Sequence, residues 1–411
     1  MSEGKGKGES EAKNLLFLTL CEYTSIREKD LYTDLLRVFL DHGWKVYTVS
    51  PVERRKKEKT RLIREGNSVI LRLKTGNVQK TNAIEKGIST VAMETLFKAG
   101  IRKYFPDIRF DLVLYSTPPI TLVGAVEYVK KRDGAKTYLL LKDIFPQNAA
   151  DMGMLPTEGP KGALYRFFRE KERKLYRVSD RIGCMSPANV RYVLEHNPEI
   201  PPEKVEVCPN STEISDFRVS DEERARLRKK YGIPEDRVVF VYGGNLGKPQ
   251  GIPFVIECLR ECAGLREAFF LIAGDGTEYG KLEQYARESR QENFRLMNRL
   301  PREDYDTLAA ACDVGLIFLD WRFTIPNFPS RLISCMQAGL PVIACTDACT
   351  DVGEVAEKEG FGWRCPSNDA AGFRAVAEKA MQADLREMGE KGRQALARLY
   401  DVREGYEIIT R

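Results

Sequence analysis

The sequence predicts an α/β protein built from two doubly wound domains that face each other across a cleft. Short apolar runs alternate with segments of helical length throughout the 411 residues. Prolines interrupt this alternation near the middle, at Pro201-Pro202 and Pro209, and polar turns with glycine then follow the apolar runs of the second half. Strands that alternate with helices form parallel sheets with right-handed crossovers, and ligands bind beyond the carboxyl ends of such strands.

The composition is that of a soluble globular protein. Of its residues 43% are hydrophobic and 30% charged, and the net charge of +5 is too small to indicate a nucleic-acid binder. Ten cysteines accompany only two histidines, so no zinc site of the usual kind is complete, and scattered thiols without a secretory signal are typical of the cytoplasm. No apolar run of about 18 residues is present to span a membrane. Residues 1–13 are polar, and we expect a disordered lead there.

The first predicted domain covers residues 14–208. Short apolar or β-branched runs predict strands at Leu15–Leu20, Lys45–Val49, Val69–Leu73, Asp111–Tyr115, Thr137–Leu141 and Arg181–Met185. Helical spacing predicts helices at Leu31–Leu40, Lys86–Phe105, Thr121–Arg132, Lys161–Arg177 and Ala188–His196. The charged run Glu53–Arg64 is expected to be a solvated helix or loop.

The second predicted domain covers residues 209–384 and repeats the same alternation. Its expected strands are Val238–Tyr242, Phe269–Ala273, Phe294–Met297, Val314–Phe318, Val342–Cys345 and Phe361–Arg364. Helices Ala370–Gln382 and Leu385–Tyr400 are expected to close it. We expect the C-terminal helix, residues 385–411, to return toward the first domain. Both halves are therefore predicted to be Rossmann-like.

The stretch Asn327–Thr346 predicts a loop, a short helix, a sharp stop and a buried strand. Ser330 is a natural N-cap whose hydroxyl can accept from the first-turn amides, and Gly339 is a natural left-handed C-cap. The start of a helix favours an anion, and the forked guanidinium of Arg331 suits phosphate oxygens. A diphosphate site is one interpretation, and an ordinary capped helix is the other.

Polar turns follow three further strands of the second half. Gly243, Gly244 and Gly247 allow a ligand to approach the backbone closely, and Lys248 supplies a cation beside them. The next two turns are Gly274-Asp-Gly276 and Asn298-Arg-Leu-Pro301. None of these is a GxGxxG or Walker sequence, so the usual NAD and ATP sites are not predicted. The turns share one sheet edge, which predicts a phosphate-containing ligand there.

The second half resembles the nucleotide-sugar domain of the retaining glycosyltransferases of family 4, which have the GT-B fold. The matching segments are YGGNLG (Tyr242–Gly247), IAGDG (Ile272–Gly276), NRLPREDY (Asn298–Tyr305), AACDVGL (Ala310–Leu316) and FPSRLISCMQAGLPVIA (Phe328–Ala344). In the first half, STPPIT (Ser116–Thr121), LLKDIFPQNAADMGML (Leu140–Leu155) and SDRIGCMSPANV (Ser179–Val190) resemble the bacterial capsule and O-antigen transferases, especially those similar to N-acetyl-fucosamine transferases.

The resemblance implies roles for particular residues. The donor diphosphate would lie against Gly243, Gly244, Asn245, Gly247, Lys248, Pro329, Ser330 and Arg331. The nucleotide would lie against Gly274, Asp275, Gly276, Asn298, Arg299, Leu300, Pro301 and Ser334. The acceptor would lie against Thr117, Pro118, Pro119, Asp143, Phe145 and Gln147. The catalytic residues would be Asp143, Lys248 and Arg331.

The resemblance also implies the chemistry. The donor would be a UDP-sugar carrying an N-acetylated or deoxy sugar, transferred with retention to a polyprenyl-diphosphate-linked glycan. A front-side transfer lets the leaving diphosphate help to take the acceptor's proton, so the protein must mainly stabilise the departing charge. No cofactor and no metal are expected. The acidic pair Asp347 and Asp351 is spaced too widely for a metal motif and predicts a helix start instead.

One departure from the family pattern keeps alternatives open. Many family members carry two glutamates eight positions apart, but Pro326 and Ser334 occupy those positions here. A non-catalytic scaffold that binds nucleotide or glycan in an assembly complex is one alternative. A GT-B epimerase acting on UDP-N-acetylhexosamine is another, and it would need acid–base carboxylates in the cleft.

A basic amphipathic helix is predicted at Lys161–Arg177. Leu164, Phe168 and Leu175 fall near one stripe among many cations. Such a helix can lie on an anionic bilayer, or its apolar stripe can pack on the domain's own sheet. Lys86–Phe105 is a second candidate surface. We therefore expect a cytoplasmic protein attached peripherally to the inner face of the plasma membrane.

Overall fold

The computed structural model describes residues 12–77, 83–215 and 217–411, and of residues 83–91 it describes the backbone. Most of the predicted disordered lead, residues 1–11, lies outside the described residues. Two sheets organise the chain, one of eight strands and one of six. The α/β class with two Rossmann-like domains is confirmed. In the described part of the chain no helix is both long enough and apolar enough to cross a bilayer.

The first sheet has the order β3-β4-β2-β1-β5-β6-β7-β8 and is parallel except for β3. Its strands are β1 (Asn14–Leu18), β2 (Lys45–Glu53), β3 (Arg61–Glu65), β4 (Ser68–Thr75), β5 (Leu112–Ser116), β6 (Lys136–Leu141), β7 (Arg181–Cys184) and β8 (Val205–Val207). Helices α1 (Leu31–Asp41), α2 (Ala83–Tyr104), α3 (Val123–Asp133), α4 (Gln147–Asp151), α5 (Gly162–Val178) and α6 (Pro187–His196) lie between its strands. Central strands are buried on both faces, which is why they read as continuous apolar runs.

The prediction of a helix or loop for the charged run Glu53–Arg64 is confirmed for residues 54–60 and is wrong at both ends, which lie in strands. Strand β2 continues to Glu53, a short 3-10 turn follows, and β3 pairs antiparallel with β4. Leu62 and Ile63 face Leu71 and Ile70 across this pair. Cross-strand apolar contacts therefore stabilise a strand here despite the many charged residues. The charged side chains lie on an edge strand, where water solvates them.

The second sheet is entirely parallel and has the order β11-β10-β9-β12-β13-β14. Its strands are β9 (Val238–Asn245), β10 (Ala268–Asp275), β11 (Phe294–Asn298), β12 (Val314–Phe318), β13 (Val342–Thr346) and β14 (Gly362–Pro366). Its helices are α7 (Asp221–Tyr231), α8 (Ile252–Glu261), α9 (Tyr279–Ser289), α10 (Arg302–Ala310), α11 (Arg331–Gln337), α12 (Val352–Lys358), α13 (Ala370–Met381) and α14 (Leu385–Leu399). The strand order reverses between β9 and β12, so a crevice opens there at the carboxyl edge.

The predicted single C-terminal helix is two helices, because the chain turns at Asp401. Helix α14 ends at Leu399, and α15 (Val402–Thr410) begins with the Asp401 carboxylate accepting from the Arg403 amide. The ring of Tyr406 on α15 lies 4.8 Å from that of Phe39 on α1. The last helix thus contacts α1, while the domain boundaries at residues 208 and 384 stay predictions.

The two domains also touch directly. The Asn189 side chain donates to the Pro326 carbonyl at 2.8 Å, and both groups are buried. The Thr324 amide donates to the Asp151 carboxylate at 2.8 Å. Asn189 lies on α6 and Asp151 lies on α4. Their partners, Pro326 and Thr324, both lie in the segment that connects β12 with α11. This segment is therefore the structural link between the two halves of the cleft.

Candidate functional site

The first candidate turn ends β9, where glycine is required by close neighbours. A Cβ on Gly243 would lie 2.0 Å from the ring of Tyr305, and Gly244 has a φ of +126° that side chains rarely adopt. The Tyr242 hydroxyl donates to the Asn245 carbonyl at 2.7 Å and so closes the turn. Tyr242 and Tyr305 were not predicted as site residues, because their role is visible only from contacts across the fold.

The second candidate turn, at the end of β10, is bonded to the first. The Leu246 amide donates to the Asp275 carbonyl at 2.7 Å. A Cβ on Gly274 would lie 2.1 Å from the Gly244 carbonyl oxygen, and one on Gly276 would meet the backbone of Leu246 at 2.4 Å. Both glycines therefore let two backbone turns pack against each other at one edge of the sheet.

The third candidate turn follows β11, the strand next to β10. Asn298 is in register with Gly274, and Arg299 lies 3.5 Å from the Asp275 carboxylate. Asn298, Arg299 and Pro301 are exposed. The structure thus brings together most of the residues predicted to bind the nucleotide. Ser334 lies instead on α11 and is half-buried.

The guanidinium of Arg331 connects α11 to the first turn. Its Nε donates to the Gly243 carbonyl at 2.6 Å, and Nη2 donates to the Tyr242 hydroxyl at 2.8 Å. The guanidinium carbon also lies 4.0 Å from the centre of the Tyr242 ring. Arg331 was predicted as a cation for the diphosphate, but two of its donor atoms already hold the turn. Arg331 is thus first a clamp, and the remaining N–H groups are those available to a ligand.

The prediction that the Ser330 hydroxyl caps α11 is wrong. The helix starts where expected, yet the Ser330 side chain makes no capping hydrogen bond. Ser330 itself has helical dihedral angles, and the amides of Leu332 and Ile333 donate to the Pro329 and Ser330 carbonyls. A cap residue needs an extended backbone for its side chain to reach back, so the hydroxyl stays directed elsewhere. Gly339, with a φ of +70°, ends the helix as predicted.

Lys248 lies on the exposed surface of the first turn. Within the described residues its ammonium has neither an ion-pair nor a hydrogen-bond partner, so its charge is available. The neighbouring Gln250, where the family often has lysine, accepts from the Gly247 amide at 3.1 Å and from the Asn245 side chain at 2.9 Å. Gln250 therefore closes the turn, while Lys248 carries the charge.

The two positions that lack family glutamates have other uses here. The Pro326 carbonyl accepts the interdomain hydrogen bond from Asn189. Ser334 sits in α11, where its carbonyl accepts from the Ala338 amide. Asp320, which follows β12, is bonded through both carboxylate oxygens to the Arg322 guanidinium at 2.8 Å. In the described chain no group of three or more acidic, cysteine or histidine side chains is arranged to hold a metal ion.

On the first domain, Asp143 follows β6 at the edge that faces the cleft. Its backbone amide donates to the Thr117 hydroxyl at 3.1 Å, and its carboxylate accepts from the Asn148 side chain at 2.7 Å. Burial raises the pKa of Asp143 to about 7, against the lowering effect of the hydrogen bonds that its carboxylate accepts from the Ile144 amide and the Asn148 side chain. A carboxyl group with such a pKa can both donate and accept a proton near neutrality.

The other predicted acceptor residues fall into two groups. Thr117 is only 1% exposed, and its hydroxyl is used by the turn that carries Asp143. Pro119 is buried too, whereas Pro118 is exposed. The Gln147 side chain accepts from the Tyr165 hydroxyl at 2.7 Å and donates to the Asp151 carboxylate at the same distance.

Phe145 packs against helix α5. Its ring centre lies 5.1 Å from that of Phe168, next to the loop that carries Asp143. The Phe145 ring is therefore partly occupied by packing, and the loop and α4 together carry three of the six predicted acceptor residues, Asp143, Phe145 and Gln147.

The two candidate membrane helices differ from expectation. In α2 the apolar side chains of Phe97 and Ile101 are fully buried, so this helix packs on the core. Most cations of α5 are paired with acidic side chains: Arg169 with Glu172, Arg173 with Glu199, Lys174 with Glu127 and Arg177 with Glu170. Leu164 and Phe167, at the start of α5, are 51% and 41% exposed.

Comparisons with known proteins agree with this architecture. Residues 223–395 match the family model "Glycosyl transferases group 1". A relative in Pseudomonas aeruginosa, "Probable glycosyltransferase WbjE", is 25% identical over 323 residues, 78% of each chain. One in Escherichia coli K12, "Putative colanic acid biosynthesis glycosyl transferase WcaI", is 26% identical over 253 residues, 60% of each chain.

Solved structures extend the likeness to the whole chain. Sucrose-phosphate synthase from Thermosynechococcus elongatus superposes with a TM-score of 0.74 at 15% identity and covers 97% of both chains. Anabaena HepE in complex with UDP gives 0.69 at 14% identity, covering 97% of this chain and 98% of its own. Such identities show the fold alone. Residues 223–395 are thus similar to the group 1 glycosyltransferases, and the chain as a whole has the GT-B fold.

Proposed function

We propose that this protein transfers a sugar from a UDP-sugar, with retention, to a lipid-linked saccharide during bacterial polysaccharide assembly. The observation that carries the proposal is the joining of three strand-end turns, at Gly243–Gly247, Gly274–Gly276 and Asn298–Pro301, at one edge of the group 1 domain. Ligands of doubly wound domains bind at that edge, beside the point where the strand order reverses.

UDP is the proposed nucleotide. The turn at Gly243–Gly247 offers backbone close enough for a diphosphate, and Lys248 adds beside it an ammonium with no partner among the residues that the structure describes. The exposed side chains after β11 are two strands further from the switch point than the turn after β9, and they suit the base. Structural neighbours solved with UDP or with UDP-2-fluoro glucose are consistent with this assignment.

The proposed chemistry needs no metal. As the bond between sugar and diphosphate breaks, negative charge grows on the leaving phosphate. Lys248 and the free N–H groups of Arg331 would stabilise that charge, because fixed donors need no reorganisation during the reaction. The acceptor hydroxyl attacks from the same face, and its proton goes to the leaving diphosphate. Asp143 would hold the acceptor hydroxyl through a hydrogen bond.

The proposed acceptor is linked to a lipid in the inner leaflet of the plasma membrane. Met154, Leu164 and Phe167 expose 54%, 51% and 41% of their surface. All three lie close in sequence to α4, which carries Gln147 and Asp151. Exposed apolar side chains near a site indicate contact with a membrane or a partner. A peripheral contact there would bring the lipid-linked end of the acceptor to the cleft.

The test is UDP release from a panel of UDP-sugars, with and without polyprenyl-diphosphate glycans. Release that requires one donor and one lipid acceptor supports the proposal, and the anomeric configuration of the product tests retention. Turnover that persists in EDTA supports the absence of a metal. UDP binding without release from any pair would contradict the proposal and favour a non-catalytic scaffold.

A further inference from the structure

A second concave site lies on the same domain, beyond the proposed donor site. It is a cavity of about 680 Å³ at the carboxyl ends of β13 and β14. Its lining includes Trp321, Asp347, Glu354, Glu357, Arg364 and Ser367. None of them belongs to the turns that were assigned to the nucleotide, the diphosphate or the acceptor.

Trp321 is the most unusual of these side chains. It is 57% exposed, whereas Trp44 and Trp363 are buried at 8% and 6%. The turn that carries it is rigid, because Asp320 and Arg322, on either side of Trp321, are bonded to each other. The Arg322 guanidinium binds both carboxylate oxygens of Asp320. A large aromatic ring held in water by a fixed turn is a ready surface for an apolar ligand face.

A buried polar group also lines the cavity. Ser367 is 1% exposed, and its hydroxyl has no hydrogen-bond partner within the described residues. Its amide donates to the Thr346 carbonyl at 3.0 Å, which fixes the residue at the end of the two strands. Buried hydroxyls are normally satisfied, so an unsatisfied one in a residue that lines a cavity indicates a ligand or ordered water.

The charges of the cavity restrict the ligand. Arg364 lies 3.0 Å from the Glu354 carboxylate and 3.1 Å from that of Glu357. Asp347 adds a further carboxylate, whose Oδ1 accepts from the Cys349 and Thr350 amides and whose Oδ2 accepts from the Thr350 hydroxyl. The six side chains named above therefore include three carboxylates and one guanidinium, and this excess of negative charge disfavours phosphates and uronic acids.

The cavity also borders the interdomain link. Trp321 precedes Thr324 by three residues, and the Thr324 amide binds the Asp151 carboxylate of the first domain. The cavity wall at Thr350 is on that side as well, because the Thr350 hydroxyl accepts from the amide of Asn327, in the segment that connects β12 with α11, at 2.9 Å. A chain that leaves the proposed acceptor face can thus pass over Thr324 to reach Trp321.

We propose that this cavity is a subsite for a neutral or amino-sugar oligosaccharide, which stacks one sugar face on Trp321 and binds Ser367 and the carboxylates through its hydroxyl groups. A pyranose has an apolar C–H face and polar hydroxyl edges, so it matches an aromatic ring flanked by acceptors. The inference rests on the proposed function: the oligosaccharide is the outer part of the glycan that receives the sugar.

The test uses the full chain on an array of immobilised bacterial oligosaccharides that includes neutral, amino-sugar and uronic-acid members. We expect retention of neutral or amino-sugar members, with quenching of the Trp321 fluorescence on titration. Trp321→Ala should weaken this binding about tenfold, and Ser367→Ala about threefold, from the stacking and hydroxyl contacts that they remove. Ile214→Ala, which trims another exposed apolar side chain, should bind like the wild type.

Three results would overturn the proposal. The array could bind no neutral or amino-sugar member, or Trp321→Ala could leave that binding unchanged. The third is a Trp321→Ala variant that loses binding to anionic vesicles instead of binding to glycans. UDP release is measured in parallel with the same variants. If Trp321→Ala releases UDP as fast as the wild type with acceptors of every length, the subsite is refuted and the proposed function stands. If the protein binds glycans but releases no UDP, the proposed function is refuted and the subsite stands.

Discussion

Replacing Arg331 separates its two possible roles. If Arg331 serves only as a cation for the diphosphate, Arg331→Lys should keep both the stability and much of the UDP affinity. In the structure, however, the guanidinium donates to the Gly243 carbonyl at 2.6 Å and to the Tyr242 hydroxyl at 2.8 Å, and it stacks on the Tyr242 ring. Lysine cannot reproduce this fork and stack. We therefore expect both Arg331→Lys and Arg331→Ala to loosen the turn.

The magnitude follows from the contacts that are lost. Two hydrogen bonds from a charged donor and one cation–π contact together amount to about 3 kcal/mol for Arg331→Ala. A domain of this size would lose about 6 to 12 °C in melting temperature from such a change. Arg331→Lys should lose about 2 kcal/mol, since the ammonium can keep one of the hydrogen bonds.

The assay combines thermal unfolding with calorimetric titration of UDP. Lys248→Ala is the matched control, because Lys248 is exposed and has no partner within the described residues. It should lower UDP affinity about tenfold with an unchanged melting temperature. An Arg331→Lys variant with the melting temperature of the wild type would refute the role of Arg331 as a clamp of the turn.

Three further outcomes are expected. Burial raises the pKa of Asp143 from 3.8 to about 7, so ionisation of this carboxyl opposes folding. The free energy of unfolding should therefore fall as the pH rises from about 4 to about 7. Asp143→Asn should remove this pH dependence, as measured by urea titrations. Gly243→Ala should weaken UDP binding at least about tenfold by displacing the turn, while Gly280→Ala, with open space around it, should not. Replacing Leu164 and Phe167 with serine should abolish sedimentation with anionic vesicles, with near wild-type stability because both side chains are exposed.

Much of the architecture was readable from the sequence, because it depends on local periodicity. The twelve strands predicted at the outset correspond to strands of the two sheets, and the short helix before Gly339 begins where Pro329 and Ser330 indicated. The clustering of the strand-end turns followed from parallel topology alone. These features need only the order of the elements.

The remaining features depend on contacts between distant parts of the chain. Arg331 and Gly243 are 88 positions apart, so nothing in either segment shows that one clamps the other. The charged strand β3 exists because Leu62 and Ile63 meet β4, although charge dominates the local composition. The cations of α5 looked available for a membrane, but three of the five acidic partners recorded for them, Glu94, Glu127 and Glu199, come from other parts of the chain.

We propose that the strand-end turns of the second domain hold the donor. The most direct measurement is a crystal structure of the chain with UDP. It is expected to show the diphosphate against the Gly243–Gly247 amides and Lys248, with the base beside Asn298–Pro301. UDP bound at any other place, or absent at saturating concentration, would contradict the account.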